Sequence, residues 1–279
     1  MTEKKLSADQ PIGIFDSGIG GMTVARAVKE LLPDEKIIYY GDTARVPYGP
    51  KSPQTIQKFS LEIGKFLLEK NVKVIVVACN SSSSSSLTLL KNKLNIPVLG
   101  VIKPGAFAAH LNSVTRRIAV TGTRATISSG AYEKYLKTFD PDIVTFSQEC
   151  SLLVPLVEEN WIERFETKLI IKRYLSGILR EGIDTIILGC THYPLLKNQF
   201  QEIAGPGIKL IDSAKACAMT LKSLLLEKNL INKPGINSSD TGEDLFYVSD
   251  SPEKFMDNCE KLFNQSLKAV KLCKVWEKF

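Results

Sequence analysis

The sequence predicts an α/β protein of two similar halves, each built on a mainly parallel sheet. Three observations carry that expectation. Short apolar runs alternate with segments long enough for a helix, the alternation occurs twice, and each round closes on an apolar run that ends in a cysteine. The first round extends from "GIFDSG" to "VIVVACN", the second from "RIAVTGT" to "TIILGCTH". In open α/β sheets ligands collect beyond the carboxyl ends of strands, so both cysteines emerge where a site forms and the halves can face each other across a cleft.

Taken in order, the expected strands are "IGIF" (12–15), "KIIYY" (36–40), "KVIVVA" (73–78), "PVLGV" (97–101), "RIAVT" (117–121), "DIVTF" (142–146), "DTIILG" (184–189) and "IKLI" (208–211). Each is short, apolar and rich in β-branched residues, as buried parallel strands are. Helices are expected over 20–32, 52–70, 125–138 and 164–182. Further on, "AKACAMTLKSLLLEKN" is helical in pattern, "KPGINSSDTGED" reads as a polar loop, and "LFYVSDSPEKFMDNCEKLF" as strand, turn and helix.

Composition sets the outer limits. The chain has 279 residues, 44% of them hydrophobic, enough for a substantial core. No apolar run approaches the roughly 20 residues a membrane helix needs, which argues against membrane partners. The opening "MTEKKLSADQP" carries charge with no apolar segment behind it, so it reads as a solvated tail and not a signal peptide; a cytoplasmic location is expected. Six cysteines, at 79, 150, 190, 217, 259 and 273, show no C-x-x-C pair and read as free thiols. The net charge of +6 is scattered, denser only in the terminal "KAVKLCKVWEKF". Without a basic stripe interleaved with aromatics it reads as a solvated surface, and no nucleic-acid partner is expected.

The stretch "VIVVACNSSSSSSL" (74–87) admits two readings, a flexible linker or a strand, a tight turn and a helix that starts in serine. Six residues are few for a linker when the apolar pattern resumes at Leu87, and serine is a strong N-cap, so the helix is expected. Asn80 and Ser81 then offer amides and hydroxyls at a helix N-terminus, where anions are favoured.

Cys190, in "ILGCTHYPLL", repeats that arrangement: apolar strand, cysteine, hydrogen-bonding residue, then Pro194 where a helix can begin. A single cysteine at a strand end is usually a packing residue. Two in matched polar contexts point to chemistry, because a helix N-terminus favours thiolate. Zinc is a poor fit, since the chain has only His110 and His192 and no closely spaced ligand set. A hydrolase with Cys79 as nucleophile and His192 as base would leave Cys190 without a role. "DSGIGG" lacks both the spacing and the lysine of a phosphate loop. Cys217, Cys259 and Cys273 read as packing residues.

Five motifs, "IGIFDSGIGGMTVARAV", "YYGDTARVPYGPKS", "ACNSSS", "TGTRATISSGAY" and "LGCTHYPLL", occur in order between about residue 12 and 212. Together they resemble glutamate racemase, of the aspartate/glutamate racemase superfamily. The resemblance implies two α/β domains with the active site in the cleft between them, and cofactor-independent racemisation with no metal. It implies that Cys79 and Cys190 act on opposite faces of the substrate Cα, Cys79 assisted by Asp16 and Cys190 by His192. The pocket it implies is lined by Asp16, Ser17, Tyr48, Gly49, Asn80, Ser81, Thr191 and His192. A supporting carboxylate is expected at Glu158 or Glu159. Where the family usually has threonine after "ACN" this chain has Ser81, which keeps the hydroxyl, and the rest of the serine run is also unlike the family.

The expected domains are discontinuous, 11–102 with 213–279 and then 103–212, with 1–10 as a flexible tail. The expected role is conversion of L-glutamate to D-glutamate for peptidoglycan, by a homodimer whose partner is the small-molecule substrate. Aspartate racemase and a non-catalytic amino-acid-binding or inhibitor protein are the alternative readings.

Overall fold

The computed structural model describes residues 6–232 and 243–278. The chain begins β1 (Ile12–Asp16), α1 (Met22–Leu31), β2 (Ile37–Gly41), α2 (Pro53–Glu69), β3 (Val74–Val77), α3 (Asn80–Lys93), β4 (Val98–Gly100) and α4 (Ile102–Asn112). It continues through β5 (Arg117–Gly122), α5 (Arg124–Ser128), α6 (Ala131–Phe139), β6 (Val144–Glu149), α7 (Leu153–Glu158), α8 (Phe165–Ile178), β7 (Thr185–Gly189), α9 (Lys197–Ala204), β8 (Lys209–Asp212) and α10 (Ser213–Glu227). It closes with β9 (Leu245–Val248), α11 (Pro252–Phe263) and β10 (Val270–Leu272).

Two sheets result, one in the order β10-β9-β2-β1-β3-β4 and the other β6-β5-β7-β8. All their pairings are parallel, as helical crossovers require. The central strands β1, β2, β3 and β7 are buried along their whole length, which is why they read as unbroken apolar runs. One hydrophobic cluster spans both sheets, joining Ile14 and Val76 of the first to Val120 and Ile187 of the second through α1, α4 and α10. Helix starts follow local chemistry: Ser52 accepts from the Thr55 amide ahead of Pro53, and Asp212 accepts from the Ala214 amide.

The α/β class and both sheets agree with the sequence, and the eight expected strands lie within two residues of their observed bounds, except that β6 runs on to Glu149, three residues past the expected end. Other details differ. The helix expected over 125–138 is two helices, broken where Gly130 takes a left-handed φ of 61°. The helix expected over 164–182 ends at Ile178 and tightens into a 3-10 turn over Leu179–Glu181. The terminal basic segment holds β10, and its lysines pack on rings: Lys271 lies over Tyr247 and Lys278 over Phe66. Residues 6–10 are held at both sides, with Leu6 against the core and the Ala8 carbonyl accepting from buried Lys73. The loop expected over "KPGINSSDTGED" falls mostly outside the described residues.

Candidate active site

The serine run is helical. Cys79 caps α3 in extended conformation, and residues 80–93 follow as one helix. Ser82, Ser83 and Ser86 are buried, which small side chains permit where α3 lies close on the sheet. Ser83 Oγ donates to the Val77 carbonyl at 2.8 Å and accepts from the Val101 amide at 3.2 Å, tying β3, α3 and the end of β4 together. That places Cys79, Asn80 and Ser81 at the carboxyl end of the first sheet. Cys190 and Thr191 leave the end of β7 in the second sheet, and a 3-10 turn over Tyr193–Leu196 separates them from α9.

The two strand ends meet. Ser17, Tyr48, Gly49, Cys79, Asn80, Ser81, Cys190, Thr191 and His192 line one pocket, completed by Pro47, Thr123 and Val154. Asp16 stands behind it, fully buried, and accepts from the Gly18 amide at 3.0 Å and from Thr191 Oγ1 at 3.2 Å, a contact between the halves. Gly20 lies so close to the second half that a Cβ there would come within 2.5 Å of His192 Nδ1. A Cβ on Gly49 would come within 2.8 Å of Thr123 Cβ. Both glycines are required by close approach.

Each thiol has its own ionisable neighbour. Cys79 Sγ donates to Ser17 Oγ at 3.7 Å. Burial, then the nearby Asp16 carboxylate, push the Cys79 thiol up to about 12, against the Ser82 amide and Ser17 hydroxyl. Burial likewise raises Asp16, against the pull of His192 and its amide and hydroxyl donors. On the other side Cys190 Sγ lies 3.8 Å from His192 Nδ1, and His192 Nε2 lies 3.1 Å from Glu158 Oε1. Burial alone lowers the His192 pKa, but Cys190 and Glu158 outweigh it and push it up to about 10. Both neighbours thus favour the protonated ring over the neutral one. Glu158 meets the histidine, while Glu159 is exposed.

Three side chains that sequence reasoning did not single out join the site. Thr123 Oγ1 bonds Ser81 Oγ at 2.9 Å, Asn80 Nδ2 donates to Tyr132 Oη at 2.8 Å, and Tyr132 Oη bonds Ser213 Oγ at 2.9 Å. Thr123 and Tyr132 lie in the "TGTRATISSGAY" motif, but nothing local marks which of its hydroxyls reach across to α3. Tyr48 donates its hydroxyl to Asp42, so it meets the pocket through its ring and backbone. No group of three His, Cys, Asp or Glu side chains among the described residues is arranged to hold a metal. No helix among them is long and apolar enough to cross a membrane.

Two parallel α/β layers that bring a thiol from each into one pocket suit a racemase-type fold, and the chain belongs to the Asp/Glu/hydantoin racemase family, which matches it over residues 22–221. Its relatives narrow the class to glutamate racemases. That of Geobacter metallireducens is 45% identical over 245 residues, 88% of this chain and 89% of that protein. The solved glutamate racemase of Bacillus anthracis superposes with a TM-score of 0.89 at 35% identity, covering 95% of this chain and 97% of that one. The Francisella tularensis glutamate racemase, solved with D-glutamate, gives a TM-score of 0.88 at 37% identity over 96% and 98% of the two chains.

Proposed function

We propose that this protein interconverts L- and D-glutamate by a two-base mechanism that needs no added cofactor. The observation that carries the reading is the shared pocket: two buried cysteines, from the carboxyl ends of strands in different sheets, each with its own acid–base neighbour. One cysteine, as thiolate, takes the Cα proton and becomes a thiol. The electron pair left at Cα delocalises into the α-carboxylate. The other cysteine, as thiol, gives its proton to the opposite face and becomes the thiolate, so the roles are exchanged after each turnover. Donors from Asn80, Ser81, Thr191 and the first amides of α3 stabilise the charge that builds on the carboxylate. Asp16 serves Cys79 and His192 serves Cys190, with Glu158 holding the imidazole. Ser17, Tyr48 and Gly49 complete the substrate envelope.

The same reading divides the chain into 11–102 with 213–279 and 103–212, the residues that supply the two sheets. It extends to a cytoplasmic homodimer supplying D-glutamate for peptidoglycan, which rests on family membership; sedimentation of the purified protein tests the dimer.

Heavy water tests the mechanism. From either enantiomer, the product should carry deuterium at Cα while substrate recovered early carries little, because the proton removed is not the proton delivered. Deuterium entering substrate as fast as product would point to one mobile base and reject the two-thiol reading.

A further inference from the structure

Tyr48 forms one wall of the pocket, packed with Ile56 against Cys79, yet its hydroxyl is committed elsewhere. It donates to Asp42, which is fully buried and also accepts from Arg45 Nε at 2.7 Å and Ser249 Oγ at 2.8 Å. Ser249 in turn accepts from the Ala44 amide at 2.9 Å, clamping the segment that leads to Tyr48. Arg45 reaches further. Its Nη1 bonds Glu62 Oε2 of α2 at 2.5 Å, while Nη2 is buried with no hydrogen-bond partner. The guanidinium carbon lies 3.9 Å from the Phe59 ring centre and 4.6 Å from that of Trp276, at the far end of the chain. Phe59 itself packs on Tyr48, with ring centres 5.7 Å apart.

One guanidinium thus serves two buried carboxylates, and two neutral hydroxyls complete Asp42. A planar fork can bridge both carboxylates and still stack on rings, which an ammonium cannot. Removing it leaves Asp42 and Glu62 with no cation between them, and the Asp42 carboxylate no longer has a fixed place from which to hold Tyr48.

We propose that Arg45 and Trp276 are positioning residues for the substrate pocket: from outside it, they fix the Asp42 carboxylate that anchors Tyr48, and so set the Pro47–Gly49 wall against Cys79 and Thr123. The proposal rests on the glutamate reading for its substrate. Neither residue lines the pocket, so both act through Tyr48. Their loss therefore weakens substrate binding and leaves proton transfer at the thiols nearly intact.

The test is steady-state kinetics with both enantiomers of glutamate on Arg45→Met, Arg45→Lys and Trp276→Leu, each alone and combined with Tyr48→Phe. Arg45→Met should raise KM about tenfold, which is about 1.4 kcal/mol. Trp276→Leu should raise it roughly threefold, the scale of one stacked cation. In both, kcat should stay within about twofold, and Arg45→Lys should recover part of the loss because it keeps the charge. In the Tyr48→Phe background, which already lacks the anchored hydroxyl, the added substitutions should cost less than about twofold, as coupled sites do. An unchanged KM in folded Trp276→Leu, a loss confined to kcat, or full additivity with Tyr48→Phe would overturn the proposal. If Arg45→Met does not fold, Trp276→Leu and Arg45→Lys decide. A wild type that binds D-glutamate without interconverting it would reject the proposed function instead, and the same variants compared by calorimetric affinity for D-glutamate would still decide the positioning role.

Discussion

The two cysteines have nearly the same sequence context and very different surroundings. Cys79 caps a regular helix and faces a carboxylate, whereas Cys190 precedes a 3-10 turn and faces an imidazole backed by Glu158. The Asp16 side opposes charge on sulfur, with Cys79 pushed up to about 12. The His192 side favours positive charge, since Cys190 and Glu158 push that imidazole up to about 10. Under the proposed mechanism, a reaction that must work equally well from both mirror-image substrates is thus served by a chemically unsymmetrical site. On the proposed mechanism, the two directions differ in which neighbour, Asp16 or His192, serves the thiolate.

The largest expected effect comes from removing either pole. Cys79→Ala or Cys190→Ala should lower racemisation in both directions by at least about a thousandfold, since on the proposed mechanism each thiol is acid one way and base the other. Near wild-type turnover without one of them, measured by circular dichroism of the amino acid, would dissolve the comparison.

Next come the neighbours. Asp16→Asn and His192→Asn should each slow turnover by roughly a hundredfold. Because the enantiomers have equal free energy, kcat/KM must fall equally in both directions. The asymmetry should emerge in the primary deuterium isotope effect, raised for the enantiomer whose proton the affected cysteine removes. Identical isotope effects from both enantiomers in both variants would mean that the two sides are not separately served.

Glu158→Gln should act more gently, by about tenfold or less, and through pH. His192 is raised from 6.5 in the unfolded chain to about 10 in the fold, so its contribution to stability is complete below pH 6.5 and is lost as pH rises toward 10. Removing the carboxylate lowers the folded value, so the alkaline fall in both stability and activity should begin at lower pH. A pH profile superimposable on the wild type would show that Glu158 is a bystander.

The smallest effect belongs to the helix behind Cys79. The hydroxyls of Ser82 and Ser86 are buried and have no hydrogen-bond partner, so Ser82→Ala and Ser86→Ala should stabilise the protein by about 0.5–1 kcal/mol in urea titration without altering kcat. Ser81→Ala should instead damage turnover, since Ser81 lines the pocket and bonds Thr123.

Much of the fold and site is legible in the sequence because parallel strands announce themselves: "VIVVA" and "TIILG" are apolar on both faces, and the site begins where they end. α3 is harder to read, since its first two turns are serine on every side and carry no apolar stripe. β10 is hidden because Lys271 interrupts a three-residue strand, its charge leaning over Tyr247. Glu158 can be told from Glu159 only by helix phase: Val154 and Val157 turn inward and carry Glu158 toward His192. Thr123 and Tyr132 reach partners 42 and 52 residues away, a distance that local pattern does not encode.

The order of strands in the larger sheet also governs how the protein is made. β2 is covered on one side by β1, adjacent in the chain, but on the other by β9, which begins about 200 residues later at Leu245. On a ribosome adding roughly 5–20 residues per second, the apolar β2 edge waits on the order of 10–40 seconds for its partner. Through that interval the nascent chain presents unpaired backbone donors and acceptors beside Ile38, Tyr39 and Tyr40, an invitation to wrong pairing with other chains. Truncation before β9 should therefore yield insoluble protein even though both cysteines, and every residue that lines their pocket, have already been synthesised.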